Sequence, residues 1–127
     1  MPMTSRILVV DDEPEFCHML AKVLTEMGHE VSTASSGRQA LANIRENPPD
    51  ILFLDIKMPQ MTGLECLRRI GKIKRKPVVV VMTGYGGIQS ARQAMRLGAH
   101  EYICKPFDLD ELKRLVNELV GELVGDV

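Results

Sequence analysis

The stretch ILFLDIKMPQMTG, residues 51–63, runs from an apolar segment straight into a carboxylate. Its first four residues are apolar without a break, which is typical of a strand that is covered on both faces, as in a parallel sheet. Asp55 follows these residues directly, and Pro59 and Gly63 then turn the chain away. Since a buried strand needs no acid at its end in order to fold, the position of Asp55 indicates a functional side chain.

Five segments of the chain are predicted to be strands. Segments 6–10, 50–54 and 77–82 are short, apolar and rich in β-branched residues. Segments 30–34 and 100–104 mix apolar and polar residues and are predicted to lie nearer the sheet edges. Helical periodicity separates the strands, and this alternation predicts an α/β fold with five strands and five helices. The sheet is expected to be parallel with helices on both faces, because each crossover between parallel strands needs a helix.

The predicted helices carry apolar residues at intervals of three and four. The first helix has its apolar stripe at Phe16, Met19, Leu20, Val23, Leu24 and Met27. In the fourth, over residues 87–97, the residues predicted to face inward are Ile88, Ala91, Ala94 and Met95. Gly28 and Gly98 are predicted to end these two helices. The other three are predicted to begin at the capping sequences SGRQ (36–39) and TGLE (62–65) and at Asp108.

Length and composition indicate one globular domain over residues 1–127, with a core at about 5–123. The net charge is −1, so the whole-chain charge favours neither nucleic acid nor an anionic membrane as a direct partner.

No apolar run approaches the ~18 residues of a membrane span, and the N-terminus lacks a signal-peptide core. The three scattered cysteines argue against a disulfide framework and a zinc site. A cytoplasmic location is expected.

Charged and polar residues close four of the five predicted strands. The first ends in Asp11 and Asp12, the third in Asp55, the fourth in Thr83 and the fifth in Lys105. The carboxyl ends of strands in an open α/β sheet form the ligand-binding edge. Three acids placed together there repel one another unless a cation offsets them.

A divalent cation suits this set of residues. Three acids and one lysine sum to −2, and ligation by oxygen without cysteine or histidine favours Mg²⁺, with Mn²⁺ also possible. Mg²⁺ takes one or two carboxylates and fills its other positions with water and phosphate oxygens, which leaves a carboxylate free as a nucleophile. Thr83 offers a hydroxyl donor and Lys105 a mobile positive charge to an added phosphoryl group.

Four motifs in this order and spacing, VVDDEP, LDIKMPQMTG, VVMTGYG and YICKPF, resemble the receiver domains of two-component response regulators. The resemblance covers residues 5–123. The segments MTGYG and AMRLGAHEYICKPF are most similar to receivers attached to AAA+ transcriptional activators, the NtrC-type group. The resemblance implies a flavodoxin-like (βα)5 sandwich with sheet order 2-1-3-4-5. It also implies signal transduction by phosphorelay, with an output in the regulation of transcription.

Roles for the strand-end residues follow from the resemblance. Asp55 is the implied phosphoacceptor, which takes a phosphoryl group from a phosphohistidine of a sensor histidine kinase. Asp12 is implied to bind Mg²⁺ directly and Asp11 to bind it through water. Asp55 itself and the backbone carbonyl of Lys57 complete the implied metal site. The implied contacts of the phosphoryl oxygens are Thr83 and Lys105. The domain is expected to be a switch that assists its own phosphotransfer and dephosphorylation, and not a turnover enzyme.

Further residues carry implied roles in switching. Tyr102 is expected to turn inward when Thr83 closes on the phosphoryl group, and the Lys105–Pro106 bond matches a cis peptide position of the family. The readout surface is expected to be the fourth helix, the fifth strand and the fifth helix. This surface would act through dimerisation or through release of an attached AAA+ or DNA-binding domain outside the chain.

Access to Asp55 is expected to depend on three neighbours, Lys57, Gly84 and Tyr85. The glycines of the connector TGYGG, residues 83–87, can absorb a backbone shift at little cost. Bulky Tyr85 is expected to impede the attack of water on the aspartyl phosphate and so to lengthen its lifetime.

Three alternatives remain open on sequence grounds. A haloacid dehalogenase-type phosphatase also uses a strand-end Asp and Mg²⁺, but Lys57 stands where its second Asp would be. A flavodoxin-like FMN binder shares the topology, but the chain has DDEP after its first strand and 4% aromatic residues. A receiver that is never phosphorylated and serves as a binding module is the third.

Overall fold

Five strands alternate with five helices along the chain, and the computed structural model describes residues 4–84 and 87–123. The strands are β1 (Arg6–Val10), β2 (Glu30–Ala34), β3 (Ile51–Asp55), β4 (Val78–Thr83) and β5 (Glu101–Cys104). The helices are α1 (Pro14–Glu26), α2 (Gly37–Glu46), α3 (Gly63–Ile70), α4 (Ile88–Arg96) and α5 (Leu109–Leu123). Each predicted element is present, and most boundaries differ by one or two residues.

The strands form one parallel sheet in the order β2-β1-β3-β4-β5. The predicted flavodoxin-like order is confirmed, as are the edge positions of β2 and β5. Register sets the heights of the strand ends: Val10 pairs with Leu54, Asp55 with Met82 and Thr83 with Cys104. Residues that follow β1, β3, β4 and β5 therefore emerge at one edge of the sheet, within about two residues of each other in height.

Two apolar cores cover the two faces of the sheet. One packs α2, α3 and α4 against alternate residues of the central strands, including Leu52 and Leu54. The other packs α1 and α5 against the intervening residues, including Phe53. Because both faces are covered, β3 is buried along its whole length, which accounts for its continuous apolar sequence.

Two helices bury fewer of their apolar residues than the sequence pattern predicts. In α1 the buried residues are Cys17, Leu20 and Leu24, while Met19 is 39% exposed. In α4 only Ala91 and Ala94 are buried, so the inward positions predicted for Ile88 and Met95 are wrong; these are 59% and 39% exposed. The buried face of α4 is therefore a narrow line of two small residues about one turn apart. The larger apolar residues beside that line remain in contact with solvent.

The predicted helix ends are confirmed by their capping contacts. The hydroxyls of Ser36 and Thr62 accept hydrogen bonds from the third residue of α2 and α3, each at 3.2 Å. The Asp108 carboxylate accepts one from the Asp110 N–H at 2.8 Å. Gly28 and Gly98 follow α1 and α4 with φ of +98° and +107°, a conformation in which any other residue is strained.

Within the described residues, no helix is both long enough and apolar enough to cross a bilayer.

Candidate phosphoacceptor and metal site

Three carboxylates meet at the carboxyl edge of the sheet. Oxygen atoms of Asp11, Asp12 and Asp55 all lie within 4.8 Å of one another. Asp11 is fully buried and Asp55 nearly so, whereas Asp12 is exposed. Ligand oxygens about 2.1 Å from an octahedral Mg²⁺ lie about 3–4 Å apart, so these three residues fit a magnesium ion that keeps part of its water shell.

Lys105 links two of these acids. Its ammonium lies 2.5 Å from Asp11 Oδ2 and 3.6 Å from Asp55 Oδ2. Glu13, at 3.7 Å, is a third and more exposed partner. β1 and β3 are neighbours in the sheet, whereas Lys105 follows the edge strand β5, so the lysine reaches across β4 to the acids. Three carboxylates around one ammonium give this cluster a net negative charge, which favours the binding of a further cation.

Burial shapes the electrostatics of Asp55. Desolvation and the nearby charge of Asp11 raise the pKa of Asp55 to about 6, against the lowering effects of Lys105 and the Lys57 N–H. The Lys57 N–H donates to Asp55 Oδ1 at 3.3 Å. Burial alone lowers the pKa of Lys105, but the hydrogen bond to Asp11 and the charge of Asp55 outweigh it, so this pKa is raised. Lys105 therefore stays charged at neutral pH, whereas Asp55 ionises less readily than a free aspartate.

The loop after β3 passes very close to the backbone of Asp55. The Gly63 N–H donates to the Ile56 carbonyl at 2.8 Å, and Gln60 adopts a positive φ of 67° within the turn. A Cβ atom on Gly63 would lie 2.7 Å from Ile56 Cα and would also overlap the Asp55 carbonyl. Residue 63 must therefore be glycine for the loop to close behind the phosphoacceptor candidate.

Thr83 is buried at the end of β4, in register with Cys104. Its hydroxyl donates to Cys104 Sγ at 3.5 Å, and its carbonyl accepts from the Lys105 N–H at 2.7 Å. Thr83 and Lys105 are thus joined through the backbones of β4 and β5.

Comparison with known proteins decides the family. The response regulator receiver domain family matches residues 7–117, which include every residue of the site described above. The chain belongs to this family.

Curated relatives of this receiver domain differ widely in length. The regulatory protein AtoC of Escherichia coli is 39% identical over 116 residues, which are 91% of this chain but 25% of AtoC. Sporulation initiation phosphotransferase F of Bacillus subtilis is 35% identical, over 91% of this chain and 94% of its own length. The chain spans about a quarter of AtoC and nearly all of phosphotransferase F.

Solved receivers share the fold closely. The receiver domain of NtrX from Brucella abortus has a TM-score of 0.85 and 38% identity, over 90% of this chain and 97% of that one. The resemblance to receivers of the NtrC-type group, inferred from the sequence, is therefore confirmed. The receiver fold is likewise confirmed.

Further residues carry predicted roles in access to the site and in switching. Lys57 is exposed and Gly84 is partly buried, while Tyr85 lies outside the described residues. Tyr102 is 38% exposed on β5. The Lys105–Pro106 peptide bond is cis, as the resemblance implies. The metal, phosphoryl and switch roles of these residues remain predictions.

Phe16 is a neighbour of the site that sequence reasoning did not identify. Its ring lies beneath the Lys105 ammonium, 4.2 Å from centroid to nitrogen. Phe107 packs against Phe16 edge to face, with ring centroids 5.7 Å apart. In the sequence Phe16 is one member of the apolar stripe of α1. Nothing in that pattern distinguishes a ring under a lysine from a core residue.

Proposed function

We propose that this receiver accepts a phosphoryl group on Asp55 with the help of Mg²⁺ and acts as a switch in two-component signalling. The observation that carries the proposal is the meeting of Asp11, Asp12 and Asp55 with Lys105 at one edge of the sheet. In phosphoryl transfer, positioning and charge stabilisation contribute most of the catalysis. These four side chains supply both.

The chain's own groups have distinct parts in the transfer. An Asp55 oxygen attacks phosphorus, the bond to the imidazole nitrogen of the donor phosphohistidine breaks, and that nitrogen keeps the electron pair. Bound Mg²⁺ would neutralise charge on the transferring phosphoryl oxygens. Asp11, Asp12 and the Lys57 carbonyl would hold the ion, while the Lys57 N–H orients Asp55 through its other oxygen. Lys105 contacts the product phosphate.

Phosphorylation would then reposition the ends of β4 and β5. It adds a charge of about −1.5 to −2 at Asp55, together with three acceptor oxygens. Thr83 can donate to these oxygens only by leaving its bond to Cys104. Because its carbonyl holds the Lys105 N–H, this movement is coupled to β5, where Tyr102 stands half exposed. The α4–β5–α5 surface is the proposed readout.

A sensor histidine kinase is the proposed phosphoryl donor, and the cytoplasm the proposed compartment. The output is proposed to be regulation of transcription, through an AAA+ or DNA-binding domain beyond this chain or through a phosphorylation-dependent homodimer. The curated relatives support this, since AtoC and the ZraR proteins are named as regulatory and transcriptional regulatory proteins.

Intact-mass measurement after incubation with acetyl phosphate tests the proposal. With Mg²⁺ we expect a gain of one phosphate, and in excess chelator no gain. Asp55→Asn should abolish the gain, while Asp110→Asn, a matched change on α5, should leave it intact. A phosphate gain that persists in Asp55→Asn, or no gain in the unaltered chain, would overturn the proposal.

A further inference from the structure

A dense basic segment lies away from the phosphoacceptor site. Residues 68–76, RRIGKIKRK, contain six of the sixteen basic side chains and no acid. We call these six residues the basic segment: Arg68, Arg69, Lys72, Lys74, Arg75 and Lys76. The remaining ten basic residues face seventeen acidic ones, so the rest of the chain carries −7. The net charge of −1 therefore conceals a strong separation of charge.

The backbone of the basic segment has a defined conformation. The helical path of α3 continues past its end, since the Lys72 and Ile73 N–H groups donate to carbonyls three residues earlier. Ile73 packs against one core, and Pro77 is buried where β4 begins. Lys74, Arg75 and Lys76 project between these two anchors, and all six cations are exposed. Six exposed cations therefore fall within nine consecutive residues of ordered backbone.

Neighbouring side chains do not neutralise the basic segment. In the ranges 4–84 and 87–123, the ion pairs are one between Arg6 and Glu30 and three made by Lys105. Arg68 and Arg69 lie in the last turn of α3, where cations interact favourably with the helix dipole. That effect fades within a turn, so it does not account for Lys74, Arg75 and Lys76. Their mutual repulsion is a cost that an external polyanion would relieve.

The segment also lacks the apolar anchor of other partners. None of the exposed large apolar side chains in the described ranges falls within 68–76. Protein interfaces centre on aromatic or other large anchors, and amphipathic membrane helices insert apolar residues. Binding by charge alone, from Lys and Arg together, is typical of contact with the phosphates of nucleic acid.

We propose that the basic segment binds the phosphate backbone of duplex DNA without reading its sequence. β4 begins beside the segment and ends at Thr83, so the two sites lie about 20 Å apart, at opposite ends of the strand. A duplex bound there would leave Asp55 accessible. The proposal does not rest on phosphorylation, and Asp55→Asn should bind DNA as the unaltered chain does.

Fluorescence anisotropy with a labelled 20-base-pair duplex at low salt provides the test. We expect binding that weakens as salt rises, with a log–log slope of up to about −5 if all six cations contact phosphates. Two duplexes of unrelated sequence should bind equally. Lys74→Gln/Arg75→Gln/Lys76→Gln should weaken binding at least about tenfold and reduce the slope by about three, one for each lost contact.

A second triple variant controls for net charge. Lys22→Gln/Arg38→Gln/Arg45→Gln removes three exposed cations from α1 and α2 and should leave most of the affinity and slope. Circular dichroism and the gain of phosphate on Asp55 report whether each variant is folded. Equal losses in the two triple variants would overturn the proposal. So would no binding at low salt, or binding to phosphatidylserine vesicles or polyglutamate in place of the duplex.

Discussion

The ammonium of Lys105 lies closer to Asp11 than to Asp55, at 2.5 Å against 3.6 Å. Asp11 is fully buried, so water cannot compensate the negative charge of its carboxylate. The ammonium of Lys105 compensates that charge instead. Asp11 is also a predicted metal-binding residue. Lys105 and a metal ion therefore compete for the negative charge of the same group.

Removal of the lysine charge should strengthen Mg²⁺ binding. Two unit charges about 4 Å apart repel by about 1 kcal/mol even at the dielectric constant of water, and Mg²⁺ carries two charges. Lys105→Gln should therefore raise Mg²⁺ affinity at least about fivefold. Isothermal titration calorimetry measures this directly. Lys113→Gln removes a distant exposed lysine of α5 and should have little effect. An unchanged or lower affinity in Lys105→Gln would contradict this reading of the site.

Asp55 should destabilise the protein at neutral pH when a chelator is present. The pKa of Asp55 is raised from 3.8 to about 6 in the folded state. Between these two pH values the folded state therefore keeps a proton on Asp55 that the unfolded state has released. Its contribution to stability is therefore present below about pH 4 and is lost as the pH rises to about 6. Asp55→Asn should stabilise the protein by about 2–3 kcal/mol at pH 7.5 and not at pH 4.

Urea unfolding at the two pH values measures this difference. Glu118→Gln, at an exposed acid on α5, is the control and should change stability little at either pH. A gain for Asp55→Asn that is the same at both pH values would show that burial of the charge is not its cause.

Gly63→Ala should disturb the site through the backbone. The added Cβ would lie 2.7 Å from Ile56 Cα, and backbone cannot yield as a flexible side chain does. We expect a loss of about 1–3 kcal/mol in the free energy of unfolding and slower phosphorylation by acetyl phosphate. Gly71→Ala, whose Cβ would lie 3.3 Å from the nearest atom, should cost clearly less. Equal effects of the two substitutions would contradict the close contact.

Phe16 should help to hold Lys105 at the site. A lysine over an aromatic face gains at least about 0.5–1 kcal/mol, so Phe16→Leu should slow phosphorylation by acetyl phosphate about two- to fivefold or more. Phe16→Tyr keeps the ring and should retain most of the rate. If leucine and tyrosine slow the reaction equally, the effect comes from packing and not from the ring beneath the charge.

Much of the fold and the membership of the site could be predicted from the sequence, for one physical reason. Continuous apolar strands must be covered on both faces, so they form a parallel sheet, and parallel strands bring their following residues to one edge. That argument alone identifies the residues that the structure brings together, which are Asp11, Asp12, Asp55 and Lys105.

The contacts and burial of individual side chains on this sheet could not be predicted. The partner of Lys105 depends on its rotamer and on the burial of Asp11, and periodicity contains neither. Ile88 and Met95 lie on the apolar side of α4 in sequence, but only Ala91 and Ala94 of this helix are buried. The net charge of the whole chain does not reveal the basic segment, because the excess of acidic residues elsewhere cancels its positive charge.

Trapping the acyl phosphate tests the central claim most directly. Borohydride reduces an aspartyl phosphate to homoserine, and peptide mass spectrometry then identifies the residue that was modified. After incubation with acetyl phosphate and Mg²⁺, we predict homoserine at position 55 and aspartate at positions 11 and 12. Homoserine at either of those positions, or at none of the three, would contradict the assignment of Asp55 as the phosphoacceptor.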